Sequence, residues 1–264
     1  MTARRIVADV GGSNARFALN PAFGELAELR SYRVRDHSTF YDALEVYLGE
    51  TGAIGECSSV IIGVAGPIDG NSVDVTNSPW HIETERAEAM LGPGAKARLV
   101  NDLEAVALAL PHLRNEDLRS IGSAVRDPSR RKTMVAVNVG TGFGGAAAIH
   151  TPHGWIANPG EPGHMTLGAR SEEELALLVG EDTVEDYLSG RGLPGFYTRL
   201  RRTLGESDPD EVACADIFAQ AAHDPAARQL VDIFSAILGR VAGDIVLAAA
   251  AWGGAYLCGS VVNG

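Results

Sequence analysis

Apolar positions along this chain follow two rhythms, one of short β-branched runs and one of helical stripes. Residues 4–19 carry two apolar runs separated by a glycine turn, which predicts a pair of strands, and a further strand fits near 26–34. Between Thr39 and Tyr47, Phe40, Ala43, Leu44 and Tyr47 recur at i, i+3, i+4 and i+7, the stripe of an amphipathic helix. A buried-strand run at 60–66 is stopped by Gly66-Pro67. Asp69-Gly70-Asn71 signals a turn before a short strand at 73–75. Residues 98–101 end another strand, and 103–110 read as a helix stopped by Pro111. The alternation then resumes, with strands at 133–139 and 145–150 and helices near 172–180, 182–188, 211–222 and 226–250. Ser171 and Glu174 are spaced as a capping box opening the first of these helices. In the last, Leu230, Ile233, Phe234, Ile237, Leu238, Val241 and Ile245 form one apolar stripe; Gly253-Gly254 ends it, and 255–258 read as a strand.

This order predicts two α/β units, residues 1–110 and 111–264, that share a hinge, since no Pro/Ser-rich linker separates them. Each unit carries a similar glycine turn. Ile6-Val-Ala-Asp-Val-Gly-Gly-Ser-Asn is echoed by Met134-Val-Ala-Val-Asn-Val-Gly-Thr-Gly: a β-branched run, then glycines with one hydroxyl residue, then a second apolar run. Small residues at such a tip let an anion approach consecutive backbone N–H groups. Two matched turns point to a polyphosphate clamped between two domains.

Composition narrows the classes. With 264 residues, 45% apolar and 21% charged, the chain has enough apolar material for a substantial core. The net charge of −12 argues against a nucleic-acid footprint, which needs a basic face. Cys57, Cys214 and Cys258 are far apart and form no C-x-x-C pair, so a reducing, cytoplasmic setting is expected and a thiolate metal site is not. The apolar run near the start is too short for a signal peptide, and 230–250 is interrupted by Asp232, Arg240 and Asp244, so no membrane partner is expected.

Three constellations could carry chemistry. Asp9 precedes Gly11, Gly12, Ser13 and Asn14, where a carboxylate could hold Mg²⁺ through water while the turn faces phosphate oxygens. The second turn, Gly140-Thr141-Gly142, has Asn138 in place of the acid. Neither turn continues as Gly-Lys-Ser/Thr, so neither is a P-loop. Asn101 and Asp102 begin a helix: Asn101 reads as its cap with Glu104 as capping partner, and Asp102 is either a dipole-favoured carboxylate or a base for a substrate hydroxyl. In Asn158-Pro-Gly-Glu161-Pro-Gly-His164, a loop bracketed by Gly160 and Gly163 offers a carboxylate and an imidazole suited to vicinal hydroxyls, or a structural histidine. Glu185 is by pattern an ordinary solvated helix residue.

These segments, in this order, resemble the bacterial ATP-dependent glucokinase family, within the sugar-kinase/Hsp70/actin superfamily. The resemblance covers nearly the whole chain. It implies a two-domain actin-like (ribonuclease H-like) α/β fold with mixed sheets, flanking helices and a cleft between domains. It also implies transfer of the ATP γ-phosphoryl group to the 6-hydroxyl of glucose, with Mg²⁺, in a homodimer. Residues 9–16 resemble the family's first phosphate loop and 140–145 its second. Asn77 lies in a sugar-side loop, Asn101 matches the sugar-binding asparagine, and Asp102 matches the catalytic aspartate. Glu161 and His164 match the E-x-G-H sugar contacts, Glu185 a further hydroxyl ligand, and Gly259 the adenosine motif. Ser13 stands where the family has threonine, and Ser260 replaces the second glycine of the adenosine motif. Family members continue beyond residue 264, so a shortened C-terminus is expected. A catalytically impaired sugar-binding protein, a kinase for another hexose and an ATPase acting on a protein partner are the rival readings.

Overall fold

The computed structural model describes residues 4–22, 24–123, 127, 131–178, 182–209 and 212–262. The chain divides into two compact units, Met1–Ala105 and Val106–Gly264.

The first unit is built on a five-stranded mixed sheet. Strands β1 (Arg4–Val10), β2 (Asn14–Asn20) and β3 (Ala27–Arg33) form an antiparallel meander, and helix α1 (Phe40–Thr51) follows. Strand β4 (Cys57–Val64) returns parallel to β1. A small antiparallel sheet of β5 (Ile68–Asp69), β6 (Ser72–Asp74) and β7 (His81–Glu83) leads into α2 (Thr84–Leu91). Strand β8 (Lys96–Asn101) then pairs parallel with β4, giving the order β3-β2-β1-β4-β8. Helix α1 starts where Thr39 and Asp42 cap each other reciprocally (3.2 and 2.8 Å), and it ends on left-handed Gly52. It buries Phe40, Ala43, Leu44 and Tyr47, the stripe read from sequence, against Phe17 of β2. The Phe17 ring stacks on Tyr47 at 5.3 Å, and the Trp80 indole N–H donates to the His37 carbonyl (3.1 Å). Truncating Phe17 to alanine would cost about 3–5 kcal/mol.

Helix α3 (Asp102–Ala109) carries the chain into the second unit. There β9 (Met134–Val139), β10 (Phe143–Thr151) and β11 (Gly154–Gly160) form an antiparallel meander. Helices α4 (Glu172–Leu177), α5 (Val184–Tyr187), α6 (Leu193–Thr203), α7 (Cys214–Gln220) and α8 (Pro225–Ala248) follow, and β12 (Ala255–Cys258) pairs parallel with β9. The α8 stripe of Leu230, Phe234, Ile237, Leu238 and Val241 is buried in one cluster with Val135, Val137 and Val139 of β9. Ile233 and Ile245 lie half-buried at its margin.

Several expectations need correction. Residues 158–160 belong to β11, so only Glu161 to His164 turn away from the sheet, the last three as one turn of 3-10 helix. Ser171 accepts the Glu174 N–H (3.0 Å), but the Glu174 carboxylate accepts from the Arg170 N–H (2.8 Å) and takes a bidentate Arg240, so only half of that capping box forms. Asn101 is the last residue of β8, paired in register with Val64; its side chain still accepts from the Leu103 and Glu104 N–H groups (3.0 and 3.3 Å). Of the expected helices at 172–180 and 211–222, residues 179, 180 and 211 lie outside the described residues. Helices α2 and α6 escaped the pattern. Only Thr84, Ala87 and Leu91 of α2 are buried, and Gly190, Gly192, Pro194 and Gly195 mask the start of α6.

Candidate active site

In the first unit, β1 and β2 end in the first glycine turn. The Gly11 N–H donates to the Asn14 carbonyl (3.0 Å), and the Ser13 carbonyl accepts from Val34 (3.0 Å). Register places Asp9 opposite Arg16, and their side chains form an exposed ion pair of 2.8 Å. A Cβ on Gly12 would lie 2.8 Å from the Thr76 carbonyl oxygen and 3.0 Å from that of Asn77, so glycine is required for this contact. Asn77 itself is left-handed, with φ 58°. The Ala65 N–H donates to the Val10 carbonyl and the Thr76 N–H to the Ala65 carbonyl (3.1 and 2.9 Å), which locks the Asn77 loop to the turn. Val10, Val64 and Asn101 lie in register across three adjacent strands. Asn101 and Asp102 therefore emerge at the same end of the sheet as the turn, two ladder spacings (about 10 Å) away. The Leu103 N–H donates to Asp102 Oδ1 (2.9 Å) and so orients the carboxyl group.

In the second unit the turn between β9 and β10 is enclosed by segments distant in sequence. The Gly190 N–H donates to the Gly140 carbonyl (2.8 Å) and the Arg191 N–H to that of Thr141 (3.3 Å). Gly259, at φ 105°, approaches so closely that a Cβ would meet the Val139 carbonyl oxygen at 2.3 Å, and the Val261 N–H donates to that same oxygen (3.0 Å). Glu185 is no solvated helix residue: its carboxylate presses on Gly142, accepts the Phe143 N–H (2.8 Å) and pairs with Arg191. Glu161 and His164 are exposed and 4.0 Å apart. Gly163 sets their position, because a Cβ there would lie 2.2 Å from the Phe143 carbonyl oxygen.

The expected residues thus gather into two groups. Asp9, Gly11, Gly12, Ser13, Asn14, Asn77, Asn101 and Asp102 share one end of the first sheet. Gly140, Thr141, Gly142, Glu161, His164, Glu185 and Gly259 surround the start of β10. Sequence reasoning placed Arg16 only within the first phosphate loop and gave no role to Arg191. Arg191 sits between Gly190 and Gly192, a Gly-x-Gly like that of residues 140–142, which could have drawn attention to it.

Among the described residues no three His, Cys, Asp or Glu side chains converge as a metal cage. Mg²⁺ needs no such cage, because it is commonly held by one or two carboxylates together with substrate phosphates and waters. The exposed Asp9 carboxylate beside a glycine turn suits that arrangement. No described helix is long and apolar enough to cross a membrane.

A glucokinase family model matches residues 6–264. The chain is 34% identical to a glucokinase of Sinorhizobium medicae over 264 residues, covering 97% of this chain and 77% of that protein. The crystal structure of a glucokinase from an Antarctic psychrotroph superposes with a TM-score of 0.87 at 26% identity, covering 100% of this chain and 84% of that one. A ROK family glucokinase from Streptomyces griseus, solved in complex with glucose and AMPPNP, shares the fold at a TM-score of 0.60 and 18% identity, covering 98% of this chain and 84% of that one. The two-domain actin-like α/β architecture is common to these sugar kinases. With its family model matched almost end to end, the chain belongs to the glucokinase family.

Proposed function

We propose that this protein transfers the γ-phosphoryl group of ATP to the 6-hydroxyl of glucose. The observation that carries the reading is the shared register of Val10, Val64 and Asn101, which brings Asp102 and the first glycine turn to one end of one sheet. Asp102 is the base. Its carboxyl, oriented by the Leu103 N–H, accepts the hydroxyl proton as the bond to phosphorus forms. Asn77, Asn101, Glu161, His164 and Glu185 hold sugar hydroxyls, and Glu185 also meets the phosphate turn at Gly142 and Phe143. Gly11, Gly12, Ser13 and Asn14 face one part of the polyphosphate, Gly140, Thr141 and Gly142 another, and Gly259 the adenosine side. Asp9 would hold Mg²⁺ through water, and that ion supplies charge neutralisation on the transferring group when bound.

Residues 1–110 would carry the base and the first loop, and residues 111–264 most sugar contacts. The three free cysteines suit the cytoplasm, where the enzyme would work as a homodimer. The test is a coupled assay of the 264-residue chain with Mg-ATP and a hexose panel, alongside Asp102→Ala. Turnover of the variant should fall about 10²–10⁴-fold, with glucose affinity kept within a few-fold. Near-wild-type turnover in the variant would remove Asp102 as base. Glucose binding by the wild type without ATP consumption would replace the kinase by a sugar-binding protein.

A further inference from the structure

Glu185 poses an electrostatic problem for the proposed function. A full negative charge is pressed against Gly142, in a turn read as receiving phosphate. Two like charges about 5 Å apart at an effective dielectric near 20 would weaken phosphate binding on the order of a hundredfold. Arg191 removes the conflict. Its guanidinium pairs with Glu185 Oε1 while Oε2 accepts the Phe143 N–H, so both oxygens are engaged on the side of the turn. Its backbone is fixed to the same turn through the Thr141 carbonyl. Gly192 keeps the segment doubled back, because a Cβ there would lie 2.2 Å from the Asp186 carbonyl oxygen.

A guanidinium has five N–H donors, and among the described residues Glu185 is the only side chain to which Arg191 donates a hydrogen bond. The Arg191 side chain is 68% exposed, so its guanidinium remains open to solvent beside the turn. At the tip, the Thr141 and Gly142 N–H groups donate to nothing among the described residues. The cation and those backbone donors thus belong to one turn, joined through the Glu185 carboxylate and the Thr141 carbonyl.

We infer that Arg191 is a phosphate-binding residue of the second glycine turn: it cancels the Glu185 charge and offers its remaining donors to the nucleotide's phosphates. The inference rests on the kinase reading above and adds a cation to a turn that otherwise supplies only neutral groups.

The experiment is calorimetric titration of wild type, Arg191→Ala, Arg191→Lys and the double variant Arg191→Ala/Glu185→Gln with ADP and with adenosine, without glucose. Arg191→Ala should weaken ADP about tenfold or more and leave adenosine within twofold. Arg191→Lys should recover part of the loss, because it restores charge without the fork. The double variant should recover only part of it, because glutamine still accepts the Phe143 N–H and carries no charge, but the guanidinium donors are gone. Unchanged ADP affinity in Arg191→Ala overturns the inference while leaving the kinase reading intact. A double variant restored to wild-type ADP affinity leaves Arg191 a neutraliser of Glu185 with no phosphate contact of its own, which also overturns it. A wild type that binds no nucleotide removes the kinase reading and this inference together.

Discussion

The two glycine turns begin from nearly the same sequence and are supported in different ways. The first has the exposed Asp9–Arg16 pair within its own hairpin, the Val34 N–H beside it, and the Thr76 and Asn77 carbonyls packed behind Gly12. The second has the Gly190–Arg191 backbone on one side and Gly259–Val261 on the other, with the Glu185 carboxylate inserted at its tip. A turn whose ion pair is exposed tolerates changes in the charges that decorate it. A turn held by remote segments depends on each close approach.

That contrast can be broken experimentally, beginning with the rear wall of the second turn. Gly259→Ala combines an unfavourable φ with a clash against the Val139 carbonyl, and should cost about 3 kcal/mol or more. Thermal unfolding measures it, and an unchanged Tm would mean that the close approach is not made. Next comes Glu185→Ala, which strips a carboxylate from a partly buried N–H and should cost roughly 1.5–3 kcal/mol. Its signature is faster hydrogen exchange at the Phe143 amide.

Acidification should produce a smaller, graded loss in the second unit. Burial pushes the Glu174 carboxyl up, but bonds from Arg240 and the Arg170 N–H outweigh it and hold the group below its usual range. The Tyr197 hydroxyl, above all, holds Asp224 down as well. Groups whose folded pKa is depressed contribute stability above their unfolded pKa of about 4 and lose it as pH falls through the folded value. Emission from Trp155 and Trp252 should therefore report a loss of stability below about pH 4; a flat response from pH 6 to 3 would contradict these pairs. The smallest effect belongs to the first turn. Arg16→Ala removes an exposed pair and should change stability by less than about 1 kcal/mol, measured by urea denaturation.

Much of this contrast was hidden in the sequence for a physical reason. Hydrophobic period and turn chemistry located β1, β2, α1, β4, β9 and α8, because each buries a stripe that repeats within a few residues. The paired glycine turns and the Asn101–Asp102 helix start were legible on the same grounds. The supports of the second turn were not. Nothing local says that Gly259 must touch Val139, that Gly163 must touch Phe143, or that Glu185 leaves solvent for the Gly142 tip. Those contacts depend on how strands and helices are placed in three dimensions. Family resemblance did mark Glu185, but as a sugar ligand; its bond to the turn is visible only in the fold.

The pairing of β12 with β9 also sets an order of assembly. Strand β9 lies parallel to a strand more than 100 residues downstream, with Val135 opposite Ala255. As the chain leaves the ribosome, the first turn has all its partners once Asn77 has emerged. The second must wait for Gly259 and Val261, and until then one edge of β9 has no β12 to pair with. Non-local strand pairing of this kind is slow, and it leaves apolar edges open to wrong partners. The second unit is therefore where a slowed or interrupted synthesis would do harm, although the two turns look alike in sequence.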